Sequence, residues 1–598
     1  MPKSLLLLIL AAFLHSPAVA QSVTVHILAE VPIGARLELR GDTAPLSWDA
    51  GLPMQAVGGT HILALEFEDG VESVQYKAVL IRDDGSVEWE PGDNRLLLPG
   101  LMDEDRRVFG AAQTGLPEIR LSLDALQEDA AVLWSTLNAI HPGLLLHNTP
   151  EQSARIQTEL REELSRLATE FQDGVPLSRA YLTIAKSVAA IRDGHTQVSM
   201  YNQGGYLSSL FYSTPDRVPF TFRIVQGRMI VTGDATPGNV LPRGTEVLAL
   251  DGRPVSTVLE ALRRYASADG SNDAKRIEQL EVSAMPAPAQ RFDVIYSLLF
   301  EPEGPLALTV RRPGQAEAAL EVNRMTAADR RAVLQQRDPS LPKTRDDLLR
   351  SYWLDDGTAV VYVGSFATFN MSIDFNGWVS NAFREINARG AERLILDLRD
   401  VAGGMDNAAA YLLRHVLQSP VTLERWQGVT AYQVLPAELR PYVRSWNNDF
   451  HDLTGRVTQD TDGTYRLPAN PPVTLRPAPD AFVGEVAILV DATASSATFY
   501  QANYIKENQI APLVGQTTGG SLKGLNGGQM VFLTLPNTGI VVDVPLYGSR
   551  PAVSGPDRGV EPDLLVPEDA ETVIAGRDPE LEAAIRLLKE RSGARGGN

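Results

Sequence analysis

Cysteine is absent from all 598 residues. That excludes disulfide staples, thiolate nucleophiles, and cysteine-ligated zinc or iron–sulfur centres. Positive charge is scarce: 54 Lys and Arg stand against 74 Asp and Glu, a formal net charge of −20. A surface this acidic argues against nucleic acid or an anionic membrane as the main partner. Histidine is also sparse, at 8 residues. His141 and His147 lack ligand spacing on one helix face, and Asp460-Thr461-Asp462-Gly463 is too short for a calcium loop. No metal and no cofactor is expected. What remains is an ordinary globular composition, 44% apolar and 21% charged, in a chain too long for one hydrophobic core.

Long apolar runs are missing beyond the first twenty residues, so no membrane span is expected in the mature chain. The start itself reads as an export signal. Lys3 supplies the positive region, Leu5 to Leu14 the short apolar stretch, and Ala18-Val19-Ala20 the small-residue cleavage pattern. Residues 1–20 are therefore expected to be removed and the chain to be periplasmic or secreted, starting near Gln21.

The rest changes period several times. Residues 21–115 alternate (Val23, Val25, Ile27; Leu37, Leu39) between Gly/Asp/Pro clusters, the pattern of a small β-sandwich. Residues 120–205 carry a helical stripe at Leu126, Ala130, Leu133, Leu137 and Ile140. Thr149-Pro150-Glu151-Gln152 adds a capping-box helix start, and the segment reads as a helical bundle. Residues 215–325 return to β, and Pro242 to Val255 resembles the middle of a PDZ domain, with an insertion around 265–300. Residues 345–590 alternate strand and helix, with continuous apolar runs at Ala359–Val363, Leu394–Leu398 and Val486–Val490 that suit strands buried on both faces. The fold class is multidomain α/β plus β. Arg425 to Pro479 reads as an insertion covering one face.

Five short motifs carry chemistry. Asp491-Ala492-Thr493-Ala494-Ser495-Ser496 leads from a buried strand into a helix, whose N-terminus suits a developing oxyanion. Asp397-Leu398-Arg399-Asp400-Val401-Ala402-Gly403-Gly404 runs from a strand into paired glycines that admit close backbone approach. Asp193-Gly194-His195-Thr196 puts a histidine just past a helix end. Gly515 to Gly520 and Gly559-Val560-Glu561-Pro562-Asp563 complete the set. Singly each has a bland reading: serines cap helices, glycines make turns, and lone histidines pack.

Their order resembles the C-terminal processing (tail-specific) serine protease family, including its tricorn-core-like branch, over roughly residues 120–570. The resemblance implies a ClpP/crotonase-like α/β protease core acting on peptide or protein substrates. It implies Ser495 as nucleophile with Ser496 as the neighbouring alternative, and an oxyanion hole from Gly403 or Gly404 with the Ser496 amide. Members with a Ser–Lys dyad carry lysine where this chain has Ser521, with Lys523 two residues on. His195 matches the histidine of the tricorn-like members and is preferred to Lys523 as base; Glu561 matches their acid, with Asp193 the local competitor. Val401 replaces the family's usual Asn. Two other readings stay open, an inactive binding protein on the same scaffold and an esterase.

The N-terminal segment has a separate resemblance. Gly41 to Trp48, Tyr76-Lys77 and Trp89-Glu90-Pro91-Gly92-Asp93-Asn94-Arg95 look like a starch-binding β-sandwich domain. That implies Trp48, Lys77 and Trp89 as a platform for an α-glucan or another polysaccharide; the alternative is a spacer with both indoles in its core.

Overall fold

The computed structural model describes residues 21–596, apart from 30, 33, 58–59, 91–93, 110–115, 288–289, 462 and 470. The expected export signal at residues 1–20 lies outside the described residues, as do residues 91–93 of the second tryptophan motif. The chain divides into two compact units, Met1–Pro117 with Gly205–Thr214, and Glu118–Gly204 with Pro215–Asn598.

In the first unit two sheets enclose one core. Gln55–Val57, Thr60–Phe67, Gln21–Leu28 and Glu104–Val108 form one sheet in that order. Leu52–Pro53, Arg36–Gly41, Val74–Ile81 and Val87–Trp89 form the other, with Arg95–Leu97 also paired to Val74–Ile81. The period-2 alternation explains the packing: Val23, Val25 and Ile27 from one sheet meet Leu37, Leu39, Tyr76 and Ala78 from the other, all buried.

The second unit begins with helices Leu123–Ile140, Pro150–Glu170 and Leu177–Ala189. Ser122 caps the first through the Ala125 amide, and Thr149 and Gln152 close both hydrogen bonds of the capping box on the second. An antiparallel sheet follows, Phe220–Val225, Arg228–Asp234, Glu246–Leu250, Leu306–Arg311 and Glu317–Val322, with Arg253–Pro254 paired to the third strand. The insertion within it folds into helices Asp273–Glu278 and Arg291–Phe300.

The α/β core is a six-stranded sheet ordered Leu349–Trp353, Ala359–Val363, Arg393–Asp397, Glu485–Val490, Leu513–Gly515 and Leu564–Leu565. Only the first pair is antiparallel. Helices Phe375–Ala388, Asp406–Leu413 and Ala497–Glu507 cover one face, and helix Pro579–Gly596 supplies Ala583, Ala584 and Leu588 to the other. Both faces are covered, which is why the strands read as unbroken apolar runs. In the segment expected as an insertion at 425–479, Gln427–Thr430 pairs with Gly548–Arg550 and Val443–Arg444 with Met530–Thr534, in two sheets separate from the six-stranded one. Among the described residues no helix is long and apolar enough to cross a membrane, and no cluster of three or more His, Asp or Glu is placed to hold a metal ion.

Candidate active site

Two loops leave the carboxyl ends of the adjacent parallel strands Arg393–Asp397 and Glu485–Val490, the end at which open α/β sheets bind ligands. Asp491 ties them together. Its Oδ1 accepts the Thr493 amide at 2.9 Å and its Oδ2 accepts the Asp400 amide at 2.9 Å. Burial, reinforced by the Asp400 charge, pushes the Asp491 carboxyl up to about 7.

The first loop requires its glycines. Gly403 and Gly404 have φ of +117° and +138°. A Cβ on Gly404 would lie 2.1 Å from the Phe366 carbonyl carbon, and one on Gly403 would lie 2.7 Å from the Ser496 Cβ. The loop is pinned by hydrogen bonds from the Phe366 amide to the Gly403 carbonyl (3.1 Å) and from the Met405 amide to the Phe366 carbonyl (2.8 Å). The Gly403 and Gly404 amides themselves donate to no group among the described residues. Val401, where an Asn was expected from the family, is buried in the core beneath the loop.

The two serines differ. The Ser495 hydroxyl is engaged, donating to the Ala402 carbonyl at 3.0 Å and so holding the second loop to the first. Ser496 sits at φ +52°, ψ −127°, a backbone conformation that costs a non-glycine residue on the order of 1–3 kcal/mol. It is the N-cap of helix Ala497–Glu507, yet its side chain caps no amide. A serine on a strained strand-to-helix turn, with a free hydroxyl, has the features of an attacking nucleophile. The strained turn thus falls on Ser496, one residue past the Ser495 expected from motif order. The Ala497 amide nitrogen would stand 3.2 Å from a Cβ placed on Gly403, and it donates to no described group.

His195 is set by a tight turn. Arg192 has φ +64°, and Asp193 Oδ1 accepts the amides of His195 (2.7 Å) and Thr196 (3.1 Å). The other Asp193 oxygen faces His141 Nε2 at 3.3 Å and accepts from the Asn526 side-chain amide. Burial would raise the Asp193 carboxyl, but its bond to His141 and the charges of His141 and His195 hold it well below the usual carboxylate range. The His195 ring lies over Gly527, where a Cβ would stand 3.3 Å from Nε2. Burial lowers the imidazole below 6.5; the Asp193 charge opposes this and the Lys275 charge adds to it. Nδ1 is buried with no hydrogen-bond partner. Asp193 thus binds the backbone of His195 and not its ring.

Glu561 is not on the ring either. It forms an exposed ion pair with Arg558 at 2.6 Å, so its expected orienting role has no support in this arrangement. Ser521 is buried and donates to Asp557 at 3.2 Å, and Lys523 is linked to it through its own backbone amide. The cation beside the catalytic loops is another lysine, unforeseen from the motifs. Lys275, on helix Asp273–Glu278, is buried and donates from Nζ to the Thr493 carbonyl (3.2 Å) and to Glu278 (3.1 Å). The Asn272 side chain next to it donates to the Thr518 carbonyl at 2.8 Å. The electrostatic reach of Lys275 links His195 to the loop that carries the two serines.

Residues 357–566 match the peptidase family S41. The chain carries an S41 peptidase domain. It is a serine-type peptidase, and the matched segment contains both the glycine and the serine loops but not His195. No curated protein sequence matches the chain. Among solved structures, mature CPAF complexed with lactacystin is similar at 16% identity and a TM-score of 0.54, over 79% of this chain and 99% of that one. A second structure of mature CPAF is similar at 16% identity and a TM-score of 0.50, over 78% and 96%. The tricorn protease is similar at 14% identity and a TM-score of 0.32, over 88% of this chain and 42% of that one. The likeness to CPAF is one of fold.

Proposed function

We propose that the chain is an exported serine endopeptidase in which Ser496 attacks and His195 is the base. The observation that carries this reading is the strained, uncapped Ser496 beside the unpartnered amides of Gly403 and Gly404. A lowered pKa keeps the His195 imidazole neutral at physiological pH, ready to accept a proton. Ser496 Oγ bonds to the peptide carbonyl carbon as its proton passes to the imidazole. The Gly403, Gly404 and Ala497 amides receive the oxyanion, at a helix N-terminus that favours negative charge. The imidazolium then protonates the leaving amine and the C–N bond breaks. Water repeats the sequence on the acyl-enzyme and releases the acid. Ser495 and Asp491 position the loops. The test is a fluorophosphonate followed by peptide mapping: the adduct is expected on Ser496. An adduct on Ser495 reverses the assignment, and no adduct on either favours the inactive binding scaffold. The exported part rests on Lys3, the Leu5–Leu14 stretch and Ala18-Val19-Ala20; a mature N-terminus far from Gln21 contradicts it.

The first unit adds a second activity to this reading, polysaccharide binding. Trp48 and Trp89 lie outside the core, ring centroids 6.2 Å apart, and Trp89 is 42% exposed. The Arg40 guanidinium stacks over Trp89 at 5.3 Å. Arg40 pairs with Lys77 across the sheet, and Trp89 with Val79 on the same face as Lys77. Flat indoles beside cationic donors suit sugar rings. In the full chain, Trp89→Ala is expected to abolish retention on an α-glucan column while costing no more than about 1.5 kcal/mol. A loss of about 3–5 kcal/mol would make Trp89 a core residue after all, and unchanged retention, or none in the parent, removes the platform.

A further inference from the structure

The helices that follow the two catalytic loops wall a cavity that the chemistry above does not use. Helix Asp406–Leu413 starts two residues after Gly404, and helix Ala497–Glu507 starts directly after Ser496. The ribbon of Val421–Leu423 and Val473–Leu475 closes the far side. The cavity between them measures about 190 Å³. Its lining is mainly apolar and includes Ala409, Ala410, Leu413, Leu475, Trp426 and Tyr500, with Gln501 and Ser549 as neutral polar groups. Trp426 is held edge-on against Tyr500 at 5.3 Å and Phe499 at 5.9 Å, which fixes the wall. The charged groups that line it, Asp406 and Arg425, are exposed and stand at its rim.

We infer that this cavity receives the apolar side chain of the substrate residue whose carbonyl is attacked, so that the enzyme cuts after medium-sized and large apolar residues. The inference rests on the peptidase reading. The position supports it: the two helices begin at the oxyanion donors, so a residue whose carbonyl oxygen is held there has its side chain at the mouth between them. The size supports it, because the space is below the roughly 300–1,000 Å³ typical of a whole-ligand pocket and suits one side chain. The chemistry supports it, because ten of the fourteen lining residues are apolar or aromatic, and burying a charge among them costs more than burying an apolar side chain. Ala410 is partly buried and lines the cavity.

The test uses the full chain on a peptide library, with the residues flanking each cut read by mass spectrometry. The parent is expected to favour Leu, Met or Phe over Ala on the acyl side by roughly 10–200-fold, the range a hydrophobic pocket provides. Ala410→Phe fills the cavity and should reverse this preference. Ala410→Leu, a smaller filling, should act in the same direction should the larger change impair folding. A preference for charged residues, or one that neither variant moves, overturns the inference and leaves the peptidase reading standing. Calorimetry with a peptide aldehyde ending in leucinal separates the two failures. Binding at least tenfold weaker in Ala410→Phe supports the cavity even if no library peptide is cut; equal binding, or none in the parent, overturns it.

Discussion

Ser496→Ala is expected to lose peptide hydrolysis by roughly three to six orders of magnitude, the range seen when a nucleophile that acts as a unit with its base is removed. Its melting temperature should hold. The strained φ of +52° is present in the folded state, and alanine neither relieves nor worsens it, while the lost hydroxyl makes no hydrogen bond among the described residues. Ser495→Ala should behave differently. It removes the 3.0 Å bond to the Ala402 carbonyl, so the oxyanion loop is held less firmly, and a misplacement of about 1 Å is worth on the order of a hundredfold. The two variants are to be compared by kcat/KM on one peptide and by thermal unfolding. Near-parent activity in Ser496→Ala with a dead Ser495→Ala would restore the reading taken from motif order.

The choice between Ser495 and Ser496 marks how far the sequence was legible. The strands, the glycine loop and the serine-bearing helix start were readable because local chemistry dictates them: fully buried parallel strands give unbroken apolar runs, and only glycine accepts the approach to Phe366 seen at Gly404. Which of two adjacent serines takes the strained turn was not readable, because it depends on where the strand end meets the helix, and a one-residue shift leaves composition and order unchanged. Lys275 was invisible for another reason. It lies 218 residues from the Thr493 carbonyl it contacts, inside an insertion with no motif of its own. A buried lysine with two acceptors is recognisable only once the fold has brought them together. Glu561 matched the expected acid by order along the chain, but order does not say which way a carboxylate on an exposed loop faces, and here it meets Arg558.

His195→Ala is expected to be about as inactive as Ser496→Ala, with little further loss in the double variant, since a base has nothing to do without its nucleophile. The pH profile gives a sharper result. The neutral imidazole is the active form, and burial together with the Lys275 charge lowers its pKa. The acid limb of kcat/KM should therefore fall below pH 6.5 rather than at it. Lys275→Met removes one of the two influences that disfavour the imidazolium, so the limb should move up in pH. It also frees the Thr493 carbonyl, so kcat should drop as well. A purely structural role for Lys275 would lower activity without moving the limb. Lys523→Ala should keep most of the activity and leave the limb in place, because the influences acting on His195 come from burial, Asp193 and Lys275. A dead Lys523→Ala beside an active His195→Ala would make the lysine the base and the histidine a packing residue, and a limb that stays put in Lys275→Met would separate that lysine from the proton transfer.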